Sequence, residues 1–345
     1  MPLPPIIDPH MHQWSPRTTP RPVTPVVRMF GWSPTWTRRM LHLTFPRSAR
    51  AFVGAVDHVA ADYLPADYQG DGDGLPIEGV VHVEAGWQAR TPEGLAEETA
   101  WLESLPHNDF ILGIVGAADL ESPKLDAQLD AHSAASARFR GVRDKLACSP
   151  ARGVMDWNTD SRLLHNPAWH RGYARLGERG LSFDAWMYSH QLPAFRSVAA
   201  NHPETSVVLC HMGTPVGFGG PHGGLSESER HDLRARWRDE MMALAELSHV
   251  HVKLSGFLMP VVGWGLHTDA PASVDAIVER IGPPTLDVIR WFGAERCMFA
   301  SNFPMDKVST TLSNLFQAFD RITAAHSESE RTDLFAGTAR RFYRL

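Results

Sequence analysis

Residues able to do hydrolytic chemistry recur through this chain, and the first two come almost at once. In Ile6-Ile7-Asp8-Pro9-His10-Met11-His12-Gln13-Trp14 the histidines stand two apart. Side chains at i and i+2 of a β-strand share a face, so His10 and His12 can converge on one point. Neutral imidazole is the commonest metal ligand in proteins, and two from one strand make half of a small-ion site. Alone, so short a pattern reads more readily as two structural histidines. Later segments supply the partners that change this. Glu84 follows the run 79–83, Arg143 follows 139–142, and His190 lies just beyond 181–187. His211 follows 206–210, and Asn302 follows 297–301. The imidazoles suit metal binding or proton transfer, the carboxylate suits a ligand or general base, and the guanidinium suits an anion or carbonyl oxygen.

Each of these residues ends an apolar run of strand length, and the runs alternate with helical patterns. Strands are expected near 6–12, 79–84, 111–117, 139–144, 181–187, 206–211, 250–256 and, with its turn, 297–304. Helices are expected over 91–105, 124–136, 166–178, 191–201, 227–247, 273–281, 285–292, 311–324 and 328–342. Alternation of this kind means parallel strands joined by crossover helices. Eight strands point to a closed (β/α)8 barrel, a TIM barrel, distorted by a long first connection. Such barrels carry their active sites at the C-terminal strand ends, where the residues above would meet. No internal repeat, low-complexity tract or linker divides the chain, so residues 1–345 read as one domain. Residues 15–62 are expected to be an ordered insertion over the barrel mouth, because their aromatic residues do not suit a disordered segment.

Composition narrows the classes of function. The chain has 345 residues, 43% of them apolar, and a net charge of −6 without an acidic or basic tail. Neither nucleic acid nor an anionic membrane surface is suggested as a partner. No apolar run approaches the roughly 20 residues needed to cross a bilayer. The start, Met1-Pro2-Leu3-Pro4-Pro5, lacks the features of a secretory signal. Cys148, Cys210 and Cys297 are odd in number and widely spaced, so they read as thiols of a reducing compartment, and a cytoplasmic location is expected. Trp14, Trp32, Trp36, Trp87, Trp186 and Trp264 fall near strand ends or in long loops, and can line a pocket for an aromatic or apolar substrate. His82, His251 and Lys253 lie within strands and read as structural, turned outward under the helices.

The run Ile7-Asp8-Pro9-His10-Met11-His12-Gln13-Trp14 resembles the opening of the amidohydrolase superfamily. More narrowly, the chain resembles the branch of fuconolactonase-like and 2-pyrone-4,6-dicarboxylate lactonase-like enzymes. Further matches are Tyr63-Leu64-Pro65-Ala66-Asp67-Tyr68, Val81-His82-Val83-Glu84-Ala85, Arg140-Gly141-Val142-Arg143, Ser189-His190-Gln191-Leu192-Pro193, His211-Met212-Gly213-Thr214-Pro215 and Ser301-Asn302-Phe303-Pro304. They run in order over nearly the whole chain.

The resemblance implies a barrel hydrolase acting on a lactone or another small carbonyl compound. It implies a divalent metal, zinc foremost, held by His10 and His12 with His190 as the fifth-strand ligand. His211 would bind metal or polarise the carbonyl, and Arg143 would contact a substrate anion. In metal-using relatives a last-strand aspartate is both ligand and general base, and here that position is Asn302. An amide cannot take up a proton at any useful pH. Glu84 is the first candidate for the missing carboxylate, as base or ligand, and Asp306 is the second. Metal-free lactone hydrolysis, non-oxidative decarboxylation or hydration, and ligand binding without catalysis are the other readings. Many relatives are dimers, so a homodimer is an expected state.

Overall fold

The computed structural model describes residues 2–151, 153–158 and 160–345. Eight strands run in chain order: β1 (Ile6–Met11), β2 (Ile77–Val83), β3 (Ile111–Ala117), β4 (Phe139–Arg143), β5 (Ser182–Ala185), β6 (Val207–Leu209), β7 (Val250–Leu254) and β8 (Cys297–Phe299). Each pairs in parallel with the next, in the order β1 to β8. With helices between them they form a nearly closed TIM barrel. The last seam closes just beyond β8, where Met11 bridges Phe303. There the His12 N–H donates to the Phe303 carbonyl at 2.8 Å, and the Asn302 N–H donates to the His10 carbonyl at 2.8 Å. The bonds that close the barrel therefore also set His10, His12 and Asn302 side by side.

Alternation along the strands sorts their residues into two apolar layers. Ile7, Val81, Val83, Val115, Val208 and Met298 fill the barrel interior together with Phe342 and Tyr343 of the terminal helix Thr338–Tyr343. Ile6, Val80, Ile114, Val142, Val207 and Val252 pack outward under the helices. Fully burying one such side chain stabilises the fold by about 1.5–3 kcal/mol. β1 breaks the alternation. Its register shifts between Asp8 and Met11, around Pro9, which has no N–H to give the ladder. Ile7 faces inward, and Asp8 instead accepts from the Tyr68 hydroxyl at 2.7 Å and from the Ser301 N–H at 2.9 Å. His10 then turns inward again, so that only after this irregularity do the two histidines point toward the mouth.

The connection after β1 is helical, with segments Thr24–Phe30, Pro34–Thr44, Arg47–Val53 and Val56–Ala60. Val23, Phe45, Phe52, Val53 and Val59 from this stretch line the cavity above the barrel. The two helices expected at 273–281 and 285–292 are one, Val274–Phe292, which continues through Pro283 and Pro284. Ile281, Gly282, Pro284 and Thr285 are buried at that point, so packing holds the turn in line despite the lost backbone donors. Among the described residues no helix is long and apolar enough to cross a membrane.

Candidate active site

A cavity of about 160 Å³ opens at the C-terminal ends of the strands. By volume it holds on the order of ten water molecules, which suits a small substrate. Its polar floor is His12, Arg143, Lys145, His211 and Asn302. Its walls are apolar, with Phe45, Phe52, Trp157, Trp186 and Met259 prominent.

His12 is held by one strong contact, its Nδ1 at 2.8 Å from the Val83 carbonyl. A carbonyl only accepts, so Nδ1 carries the proton and Nε2 keeps its lone pair. His211 is fixed through Nδ1, 2.9 Å from the Ser255 hydroxyl. Its backbone is left-handed (φ 56°), as are Met212 (49°) and Thr214 (39°). Such residues cost of order 1–3 kcal/mol each and persist where a site requires them. Gly256 makes the room: a Cβ there would lie 2.4 Å from Cγ of His211. The rings of His10 and His211 are 4.4 Å apart, and those of His10 and His12 are 5.0 Å apart. Burial drives all three imidazoles well below the usual histidine range, Arg143 pushes all three the same way, and Lys253 adds to this at His10 and His211. They are therefore neutral at physiological pH.

Arg143 is oriented by Glu84. Its Nε donates to Glu84 Oε1 at 2.8 Å, and its Nη2 donates to the Glu84 carbonyl at 2.6 Å. Lys145 Nζ lies 3.0 Å from Glu84 Oε2. Burial raises the Glu84 carboxyl, but Lys145 and Arg143 together outweigh it and hold it well below the usual carboxylate range. Two cations share one carboxylate here, so the floor keeps a net positive charge beside neutral imidazoles. The arrangement can present a basic nitrogen and positive N–H donors to one carbonyl group.

The expected metal set of His10, His12, His190 and Glu84 is not assembled. His190 sits on the short helix Ser189–Gln191 after β5, exposed, and faces a separate groove with Cys148 and His165. It lies five residues past Ala185, where β5 ends, and the inward-facing residues at that strand end are Asp184 and, just beyond it, Trp186. Glu84 is committed to Arg143 and Lys145. Among the described residues, the donors that do converge within 4.8 Å are those of His10, Asp184 and Cys210, a set consistent with a divalent metal. Lys253 already stands among them: its Nζ is 2.5 Å from Asp184 Oδ2, 3.2 Å from His10 Nδ1 and 2.8 Å from the Pro9 carbonyl. None of those three donors lines the cavity. The position is thus filled by an ammonium and lies beneath the floor, and the residues do not fit a metal that reaches a substrate.

Asp306, the second candidate base, accepts from Asn302 Nδ2 at 2.9 Å and does not line the cavity. Burial pushes it up to about 7, against the pull of Asn302 and the Leu258 backbone. It positions the amide from behind. Lys253 overturns the reading of it as an outward, structural residue, since it points into the barrel and is fully buried. Lys253 and Asp184 were missed, although a charged residue inside an apolar strand is itself a signal, being costly to bury unpaired. Of the tryptophans expected at the pocket, Trp14 and Trp186 line it and Trp32 and Trp36 face solvent, while Trp157 lines it unforeseen.

Comparison with known proteins agrees with this architecture. The amidohydrolase family profile matches residues 7–345. An uncharacterised protein of Sinorhizobium fredii is 31% identical over 99% of this chain and 98% of its own. An L-fucono-1,5-lactonase of Burkholderia multivorans is 29% identical over 83% of this chain and 88% of its own. Among solved structures, a zinc-bound amidohydrolase of Burkholderia multivorans superposes with a TM-score of 0.72 at 23% identity, covering 99% of both chains.

Proposed function

The chain belongs to the amidohydrolase family and is a hydrolytic enzyme, and from that premise we propose that it opens a small lactone carrying an apolar or aromatic substituent. The observation that carries this reading is the fixed, unprotonated Nε2 of His12 facing the same cavity as the Glu84-oriented guanidinium of Arg143. The likeness to an L-fucono-1,5-lactonase supports the choice of lactones. The apolar walls support a substrate whose body is not rich in hydroxyls, since a buried hydroxyl without a partner costs roughly 1–3 kcal/mol. Trp157 and Trp186 line that cavity and can stack on a ring of the substrate.

In the proposed reaction a water molecule attacks the lactone carbonyl carbon, and His12 Nε2 takes its proton. In this reaction His211 takes the tautomer in which the Ser255 hydroxyl donates to Nδ1, 2.9 Å away, and its Nε2–H bonds the oxyanion with an N–H of Arg143. Such donors, preorganised toward the developing charge, are commonly worth about 2.7–4 kcal/mol each in the barrier. Collapse of the tetrahedral intermediate breaks the ring C–O bond, and the His12 imidazolium returns the proton to the leaving alkoxide. The product is the hydroxy acid, which loses its own proton to solvent. Zinc is the ion that an imidazole, a carboxylate and a thiol would prefer, and it would bind only where Lys253 withdrew, so no step runs through it.

The test is a panel of substituted lactones followed by acid release. Removing a general base commonly costs 10²–10⁴-fold, so His12→Asn should lower kcat by that order while leaving the melting temperature close to that of the native protein. Carbon dioxide release in place of a hydroxy acid, or an unimpaired His12→Asn variant, would overturn the reading.

A further inference from the structure

The helices of residues 24–60 have two faces, and the cavity uses only the inner one. On the outer side Met29, Trp32, Trp36 and Leu43 stand in solvent, 67, 75, 44 and 70% exposed. Among the described residues the only other large apolar side chains so exposed are Met242 and Leu286, elsewhere on the chain. Scattered exposed apolar residues are ordinary, but four within fifteen residues, two of them tryptophans, mark a surface that meets something.

Charge identifies what it meets. Residues 15–56 contain seven arginines and neither aspartate nor glutamate, in a chain whose net charge is −6. Arg28, Arg38, Arg39 and Arg47 are exposed beside the apolar residues. Asp57 answers Arg38 at 2.7 Å, and Arg39 lies 5.3 Å above the Trp36 ring. Arg28 bonds only the carbonyls of Arg17 and Thr18. The whole-chain charge gives no reason to expect an anionic partner, but this local charge does.

We propose that the outer face of residues 24–50 docks on an anionic lipid surface, with Trp32, Trp36 and Leu43 entering the headgroup boundary and the arginines meeting lipid phosphates. Exposed aromatics beside arginines are the composition of helices that lie in such an interface. A second copy fits poorly. A two-fold contact would set this patch against itself, bringing arginine against arginine with only Asp57, already paired with Arg38, to answer them. The same helices wall the cavity with their inner residues, so docking would set the substrate site against the lipid boundary, where apolar lactones concentrate.

Sedimentation of the full-length protein with phosphatidylcholine vesicles, with and without phosphatidylglycerol, tests this at low and high salt. Binding should require phosphatidylglycerol, weaken with salt and blue-shift the tryptophan emission. At about 1 kcal/mol per surface cation, Arg39→Ser combined with Arg47→Ser should weaken it roughly thirtyfold. Trp32→Ser combined with Trp36→Ser should weaken it too and remove the blue shift, with hydrolysis of a dissolved lactone unchanged. Failure of the native protein to bind, or equal binding to neutral vesicles, would overturn the proposal. So would a solution dimer that Trp32→Asp dissociates, which would make this face an interface between copies.

Discussion

Glu84→Gln keeps the size of the side chain and removes one charge from a cluster of three. Glu84 is 1% exposed, with Arg143 Nη2 at 2.7 Å and Lys145 Nζ at 3.0 Å from its carboxylate oxygens. Breaking a buried pair by neutralising one partner costs about 3–5 kcal/mol, because the other charge stays buried. Lys145 is partly exposed, and Arg143 keeps its bond to the Glu84 backbone carbonyl. Both facts favour the lower end, about 3 kcal/mol. An unfolding entropy of about 2.1 cal/mol/K per residue over this length is about 0.7 kcal/mol/K, so the melting temperature should fall by about 4 °C. The carboxyl is held below its ordinary range in the folded state, so its contribution is complete above about pH 4.5 and is lost as pH falls toward the folded value. Calorimetry of both proteins across pH should show the full gap at pH 7 and a narrowing gap below pH 4.5. Because Arg143 loses its orientation, kcat/KM should fall as well. A shift under about 1 °C at pH 7, or a gap that stays constant into acid, would refute the pairing.

The pH profile of kcat/KM should stay flat on its acid side through the ordinary histidine range, since burial, reinforced by Arg143, keeps His12 neutral well below 6.5; an acid limb centred near 7 would contradict that. The unfolded chain takes up protons at these histidines below about pH 6.5, so stability should decline with falling pH from there, as urea midpoints would record. His190→Ala should leave kcat/KM within about twofold of the native enzyme, as surface changes do, because the ring faces a separate groove. Lys253→Met should destabilise by about 3–5 kcal/mol by stranding Asp184. In that variant added zinc should restore melting temperature and appear as bound metal by elemental analysis. A Lys253→Met protein that melts like the native one and binds no zinc would refute the cation position.

Much of the barrel was readable from the chain because strand-length apolar runs and helical periods are local properties. Eight such runs, six of them ending at a residue able to do chemistry, located His12, Glu84, Arg143, His211 and Asn302 at one mouth. Their roles were not local. In sequence Glu84 suits a base, a ligand or a partner of Arg143, and only the approach of Arg143 and Lys145 from β4 and its following turn decides for the orienting ion pair. His190 failed because β5 ends at Ala185, and the turn that follows carries the histidine away from the axis. Lys253 failed because strand alternation says that half the residues face in but not which half, and the phase is decided by packing across the barrel. The bulge at Pro9 set that phase for His10 and His12. What the sequence alone determined was the kind of fold and which strand ends carry chemistry. Which of those groups is free to react, and which is neutralised by a neighbour tens or hundreds of residues away, was decided only when the chain closed on itself, because charge pairing and burial act through space.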